Sequence, residues 1–190
     1  MNEHSVYDKA DYQMTGGRGG APSWEHASAP PLFLIRWAMD CNLLNSGFVE
    51  ENATSFTDYR QGTLTLFQVY EKTCDLVFDS EMLSNEGNAF ARDYFDYDRG
   101  LFIKDLWAAL KLGKYDHPLY TNEAYLIFKP VIDSRYAKWK SGDVVSVRAL
   151  PEKPWTKRLK IVLGFLTVIC MFVLAYLFIL ALNWLLSPRS

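Results

Sequence analysis

The sequence predicts a mostly α-helical fold, a compact helical cytosolic domain followed by a single C-terminal transmembrane helix. Three observations carry this expectation. Between residues 27 and 140 apolar side chains recur at helical spacing. Asn, Gly and Pro punctuate that region into segments of ordinary helix length. The stretch 161–182, IVLGFLTVICMFVLAYLFILAL, is apolar on every side, where a helix covering a soluble core would be amphipathic.

Taken in order, residues 1–26 read as a flexible Gly-rich lead-in, with Tyr7, Tyr12 and Trp24 as the groups able to dock it on a core. Its GGRGG run lacks the GK[ST] ending and the preceding strand of a phosphate-binding loop. The helical globular domain then spans 27–140. Ser28 is placed to cap its first helix, with Pro30 and Pro31 in the first turn. Leu32, Phe33, Ile35, Trp37, Ala38, Met39, Leu43 and Leu44 form the apolar face, and Asn45-Ser46-Gly47 stops it. Residues 48–59 suggest a short helix. Thr63 is a candidate cap for the next, in which Leu64, Leu66, Phe67, Val69, Tyr70 and Cys74 face the core; the run TLTLF also suits a strand, and helix is favoured.

Ser84 reads as the cap of 84–97, where Ala89, Phe90, Tyr94 and Phe95 point inward and Glu86, Arg92, Asp93 and Asp96 outward. A helix over 101–112 ends at Gly113. The last runs over 120–139 with Tyr125, Leu126, Phe128, Val131, Ile132, Tyr136 and Trp139 as its apolar side, kinked or divided at Pro130. Residues 141–157 read as a linker with a basic collar, in which VVSVR suits a short strand.

The transmembrane helix is expected over 158–187. At ~1.5 Å per residue its uncharged part reaches about 33 Å, enough for a hydrocarbon core of ~30 Å. Lys153, Lys157, Arg158 and Lys160 crowd the N-terminal flank and only Arg189 follows, which places the domain on the cytoplasmic side. Together with Trp155 and Trp184 these residues are the expected membrane-interface set, and a span so near the C-terminus implies tail anchoring to a lipid bilayer. With no ionisable residue inside it, the span is expected to anchor rather than conduct.

The net charge of −2 hides an asymmetry, because all 22 acidic residues lie within 1–152 beside 15 of the 20 basic ones, a balance of −7. An acidic body repels phosphates, so nucleic acid is excluded as a partner. Cys41, Cys74 and Cys170 are odd in number and widely spaced, which fits a reducing compartment and no disulfide framework. His4, His26 and His117 lack metal-ligand spacing, so no metal site is assigned. The polar opening is not expected to act as a cleavable signal peptide.

Chemistry-bearing patterns are sparse. Asp75, Asp79, Glu81, Glu86, Asp93, Asp96 and Asp98 cluster with Arg92 and Arg99 as the only cations. An acid–base pair needs two carboxyls with separated pKa values, and nothing in the pattern supplies one. A cation loop needs a closing Glu, which DYFDYDRG lacks. What remains is a solvated acidic face, or one that meets a basic protein. There is no GxSxG elbow, and neither Cys41 nor Cys74 has a His nearby in sequence. His117 reads as a loop residue. No catalytic residue, metal ligand or cofactor is assigned.

VYDKADYQ, HASAPPLFLIRWAMDCNLLN, SNEGNAFARDYFDYDRG and VIDSRYAKWK, in that order, resemble a family of small uncharacterised bacterial proteins. Its members open with Tyr-Asp-x-Ala-x-Trp-His, continue with an aliphatic helix bearing Trp, and then carry Glu-Gly-Asn-x-Phe-Ala-x-x-Tyr-Tyr and Arg-Tyr-x-x-Trp. Tyr7, Asp8, Ala10, Trp37, Leu43, Glu86, Gly87, Asn88, Phe90, Ala91, Tyr94, Arg135, Tyr136 and Trp139 match; Tyr12, Gln13 and Phe95 depart. The resemblance covers residues 6–140 and leaves out the apolar C-terminal stretch. It implies a bacterial protein, which together with the expected span points to the inner membrane, and a role like that of immunity and accessory proteins beside secreted toxins.

The expectation is therefore a non-enzymatic protein-binding module tethered to that membrane, with a protein partner such as a toxin. Its candidate contact residues are Glu86, Asn88, Asp93, Tyr94, Asp96, Tyr97 and Asp98. The alternative is a membrane-anchored enzyme or regulatory factor of unknown reaction.

Overall fold

The computed structural model describes residues 4–15, 20–97, 99–113 and 116–143, all within one unit, Met1–Val147. In chain order these form β1 (Val6–Lys9), α1 (Ala10–Thr15), α2 (Trp24–Asp40), α3 (Ser46–Glu51), α4 (Ala53–Arg60) and α5 (Leu66–Cys74). There follow β2 (Val77–Asp79), α6 (Asn85–Tyr94), α7 (Phe102–Leu110) and α8 (Asn122–Lys140).

The domain is mostly helical, but the membrane-spanning half of the expected architecture is corrected: no helix among the described residues is long and apolar enough to cross a membrane. The physical reason lies in the two longest. The 17-residue α2 contains Glu25, Arg36 and Asp40. The 19-residue α8 carries Glu123, Lys129, Asp133, Arg135, Lys138 and Lys140, charges that hydrocarbon does not accept. The expected span at 158–187, its interface residues Lys153, Trp155, Lys157, Arg158, Lys160 and Trp184, and the VVSVR strand lie outside the described residues.

α2 is the central element, buried almost all round, as a helix apolar on most sides must be. It starts earlier than expected. Ser23, in extended backbone, accepts from His26 N at 3.4 Å and so caps the helix, which puts Pro30 and Pro31 in its interior. Around α2 the aromatics meet edge to face or tilted. Phe33 meets Phe128 at 5.7 Å and Phe128 meets Phe102 at 5.2 Å; Trp37 meets Phe90 at 5.3 Å and Tyr136 at 5.0 Å.

Several boundaries differ from expectation. α2 ends at Asp40 with Cys41 as its C-cap, not at Asn45; the Asn45 side chain instead accepts from Gly47 N and caps α3, and residues 48–59 divide between α3 and α4. The α5 cap is Thr65, not Thr63, and it forms a reciprocal box with Gln68. α8 runs through Pro130 as one helix, and its Leu126 faces solvent while Tyr125, Phe128 and Ile132 are buried.

The lead-in contains structure as well. β1 pairs antiparallel with β2, Asp8 opposite Phe78 and Lys9 opposite Val77, with an irregularity between Val6 and Asp8. Tyr7 docks as expected, its ring 5.2 Å from Phe78, but Tyr12 and Trp24 stay exposed. α1 sits on α2 through small residues, Ala10, Ala21 and Ala27, which allow close approach.

Candidate functional site

A cleft of about 640 Å³ lies between the start of β1, the turn after β2 and one face of α6. Backbone pairing builds its rim. Ser80 N donates to Ser5 O at 2.8 Å and Ser5 N to Ser80 Oγ at 3.0 Å. That register carries His4 onto Asp79, Nε2 to Oδ2 at 3.3 Å, while Glu81 N donates to the other oxygen, Asp79 Oδ1, at 2.9 Å.

The floor is the junction of α2 with α6. Ser84 N donates to Leu43 O at 2.8 Å, and Asn45 N to Met82 O at 3.0 Å. Ser84 caps α6 through Gly87 N, as its sequence suggests. Gly87 is required there, since a Cβ would lie 2.7 Å from Leu43 O.

Asn88, one turn into α6, is the keystone of the wall. Its Oδ1 accepts from Tyr7 Oη at 2.8 Å, and its Nδ2 donates to Ser80 O at 2.8 Å and Leu83 O at 2.9 Å. One amide thus ties β1, the turn after β2 and α6 together. Burial raises the Tyr7 phenol pKa, and the positive Arg92 draws it partly back. Arg92 stands one turn beyond Asn88, is exposed, and has no ion pair among the described residues.

The acidic residues proposed as contacts are divided by the fold. Glu86 and Asp93 look away from the cleft toward α8. Glu86 accepts from Lys140 Nζ and Tyr136 Oη, which hold its carboxyl below the usual range. Asp93 accepts from Trp139 Nε1 at 2.9 Å. Tyr94 is buried and donates to Asp105 Oδ2 at 3.0 Å, which also takes Arg135 Nε at 2.6 Å. Asp96 accepts from Arg99 N and Nη2. Tyr97 is 43% exposed as a residue, but its hydroxyl turns inward and donates to Asp8 Oδ2 at 2.7 Å. Asp98 lies outside the described residues. Only Asn88 of this set lines the cleft.

Asp8 is the one buried carboxylate of the described core, 2% exposed, and burial pushes its pKa up against the donors Tyr97, Gln13 and Lys9 N. Burial likewise raises Tyr94, Tyr97 and Tyr125, and takes the Cys74 thiol up to about 11. All these groups serve internal hydrogen bonds or packing. His4, Asp79 and Glu81 bring one ligand atom each within 4.8 Å of one another and have the donor chemistry for a divalent ion. They sit at the surface, however, and the His4–Asp79 hydrogen bond already gives them a structural use. Sequence reading missed His4, Asn45 and Arg92, which are far apart in the chain; the signal for the wall was the joint presence of Tyr7 and Asn88 in the quoted pattern.

These features define a small helical domain with a hydrogen-bonded two-stranded flap and a polar cleft beneath it. The chain belongs to the family described as a domain of unknown function, DUF7832, whose model matches residues 6–120. What matches is thus a family without an assigned activity; the match takes in the cleft from Tyr7 to Arg92, leaves out His4 and Ser5 on its rim, and stops short of α8. Comparison with curated proteins and with solved structures returned no match.

Proposed function

We propose that the chain is a non-enzymatic binding module whose recognition site is the cleft, and that its ligand is a polar, carboxylate-bearing segment of a protein partner. The observation that carries this reading is Arg92. It stands exposed in a cleft whose opposite wall is fixed by Asn88, and no carboxylate of the described domain pairs with it. An arginine presented in this way offers bidentate recognition of a carboxylate, the contact type enriched at binding hot spots. The rim supplies further polar groups in Ser80, Asn45 and Tyr7. Inhibition of a toxin, the role the sequence resemblance implies, is one form of such binding.

The test is capture of partners from cells expressing the full chain, comparing wild type with Arg92→Glu. Arg92 is exposed, so its reversal is expected to leave thermal unfolding unchanged and to abolish partner capture. Capture that survives the reversal removes the cleft from the account. Glu86→Lys with undiminished capture would place recognition away from the α8-facing side of α6.

A further inference from the structure

α8 has a second face that the described residues leave uncovered. Its inner side sends Tyr125, Phe128 and Ile132 into the core. At ~100° per residue the opposite side carries Glu123, Leu126, Ile127, Ser134, Ala137 and Lys138, all exposed, with Pro130 at the middle. Leu126 and Ile127 are 59% and 57% exposed, the former equalled only by Tyr12 among the exposed large hydrophobic residues of the described domain. Glu123 and Lys138 have no ion pair among the described residues.

We propose that this face packs antiparallel against α8 of a second copy of the chain. The pattern along the helix is self-complementary in that direction. A two-fold axis midway between residues 130 and 131 sets Glu123 level with the second copy's Lys138. It also sets Ile127 level with the second copy's Ser134. Bulky Ile127 then meets the small Ser134, and Leu126, level with residue 135, lies between the small Ser134 and Ala137, which permits close helix approach, and an opposite-charge pair closes each end. A parallel arrangement would oppose Glu123 to Glu123 and Leu126 to Leu126, like charge against like charge and bulk against bulk. The interface is a single helix face, so association is expected to be weak and concentration-dependent.

Disulfide trapping tests this with the full chain in a background carrying Cys41→Ser, Cys74→Ser and Cys170→Ser. Two differently tagged copies, one Glu123→Cys and the other Lys138→Cys, are co-expressed and oxidised. The expected result is a mixed-disulfide dimer several-fold more abundant than that from two Glu123→Cys copies, and its loss when Leu126→Glu is added to both. Equal trapping of the 123/123 and 123/138 pairs, no trapping of either, or trapping that survives Leu126→Glu overturns the proposal. In those outcomes the face is covered by another molecule or stays in water.

Discussion

Replacing Asn88 by Ala removes the side chain that ties β1, the turn after β2 and α6. Three hydrogen bonds are lost: from Tyr7 Oη at 2.8 Å, and to Ser80 O and Leu83 O at 2.8 and 2.9 Å. Each is part-buried, and a bond of this kind contributes about 0.5–1.5 kcal/mol net, so Asn88→Ala should cost about 2–4 kcal/mol. With a urea dependence of ~1–3 kcal/mol per M, that lowers the midpoint by about 1–2 M. Tyr7→Phe removes the first bond, with the weaker 3.4 Å contact of the same hydroxyl to Asn88 O, and should cost about 1 kcal/mol. In the Asn88→Ala background only the long contact of that hydroxyl to the backbone oxygen of residue 88, 3.4 Å in the wild type, is left to break, so the cost should fall to well under half, a coupling that a double-mutant cycle reads directly. Urea unfolding followed by tryptophan fluorescence measures all four proteins. If Asn88→Ala costs under about 0.5 kcal/mol, or if Tyr7→Phe costs the same in both backgrounds, the keystone role of Asn88 is refuted.

Two further outcomes follow from the same geometry. Asp8 is held above its ordinary pKa by burial, so between the unfolded and folded values the native state binds more protons and gains stability as pH falls. Relative to Asp8→Asn, the wild type should therefore become more stable as pH falls from neutrality into the ordinary carboxyl range; a parallel pH profile for the two proteins would contradict the burial argument. Gly87→Ala improves intrinsic helix propensity by up to ~1 kcal/mol, yet its Cβ would stand 2.7 Å from Leu43 O. Net destabilisation of about 1–3 kcal/mol is expected by chemical unfolding, and a stabilised variant would show that the α2–α6 junction yields.

Much of the helical framework was legible. Ser84 was readable as a cap because its hydroxyl and the following Gly87 need no tertiary partner. The start of α2 was not, since Ser28 resembles a cap as well as Ser23 does and only burial of Ala27 and Ser28 decides between them. Continuation of α8 through Pro130 likewise rests on packing that sequence periodicity does not weigh. The strand pair was hidden for a different reason. Each strand is at most 4 residues, and the two lie about seventy residues apart, so neither alternation nor a hairpin turn announces them. The acidic stretch was legible as charge but not as contact. Glu86 and Asp93 find Tyr136, Lys140 and Trp139 only once α8 lies across α6, and their distance along the chain gives no hint of it.

α8 reaches into nearly every other part of the described core. Its Asp133 receives the indole N–H of Trp37 on α2, Arg135 clamps Asp105 on α7, and Tyr136, Trp139 and Lys140 hold α6. On the ribosome, then, the aromatic interior must wait, uncovered, for the last helix of the domain to emerge before any of these bonds can close. Completion arrives as a late, single event rather than by stepwise growth from the N-terminus, and a nascent chain interrupted ahead of residue 122 would expose Trp37, Phe90 and Phe102 to any passing chaperone.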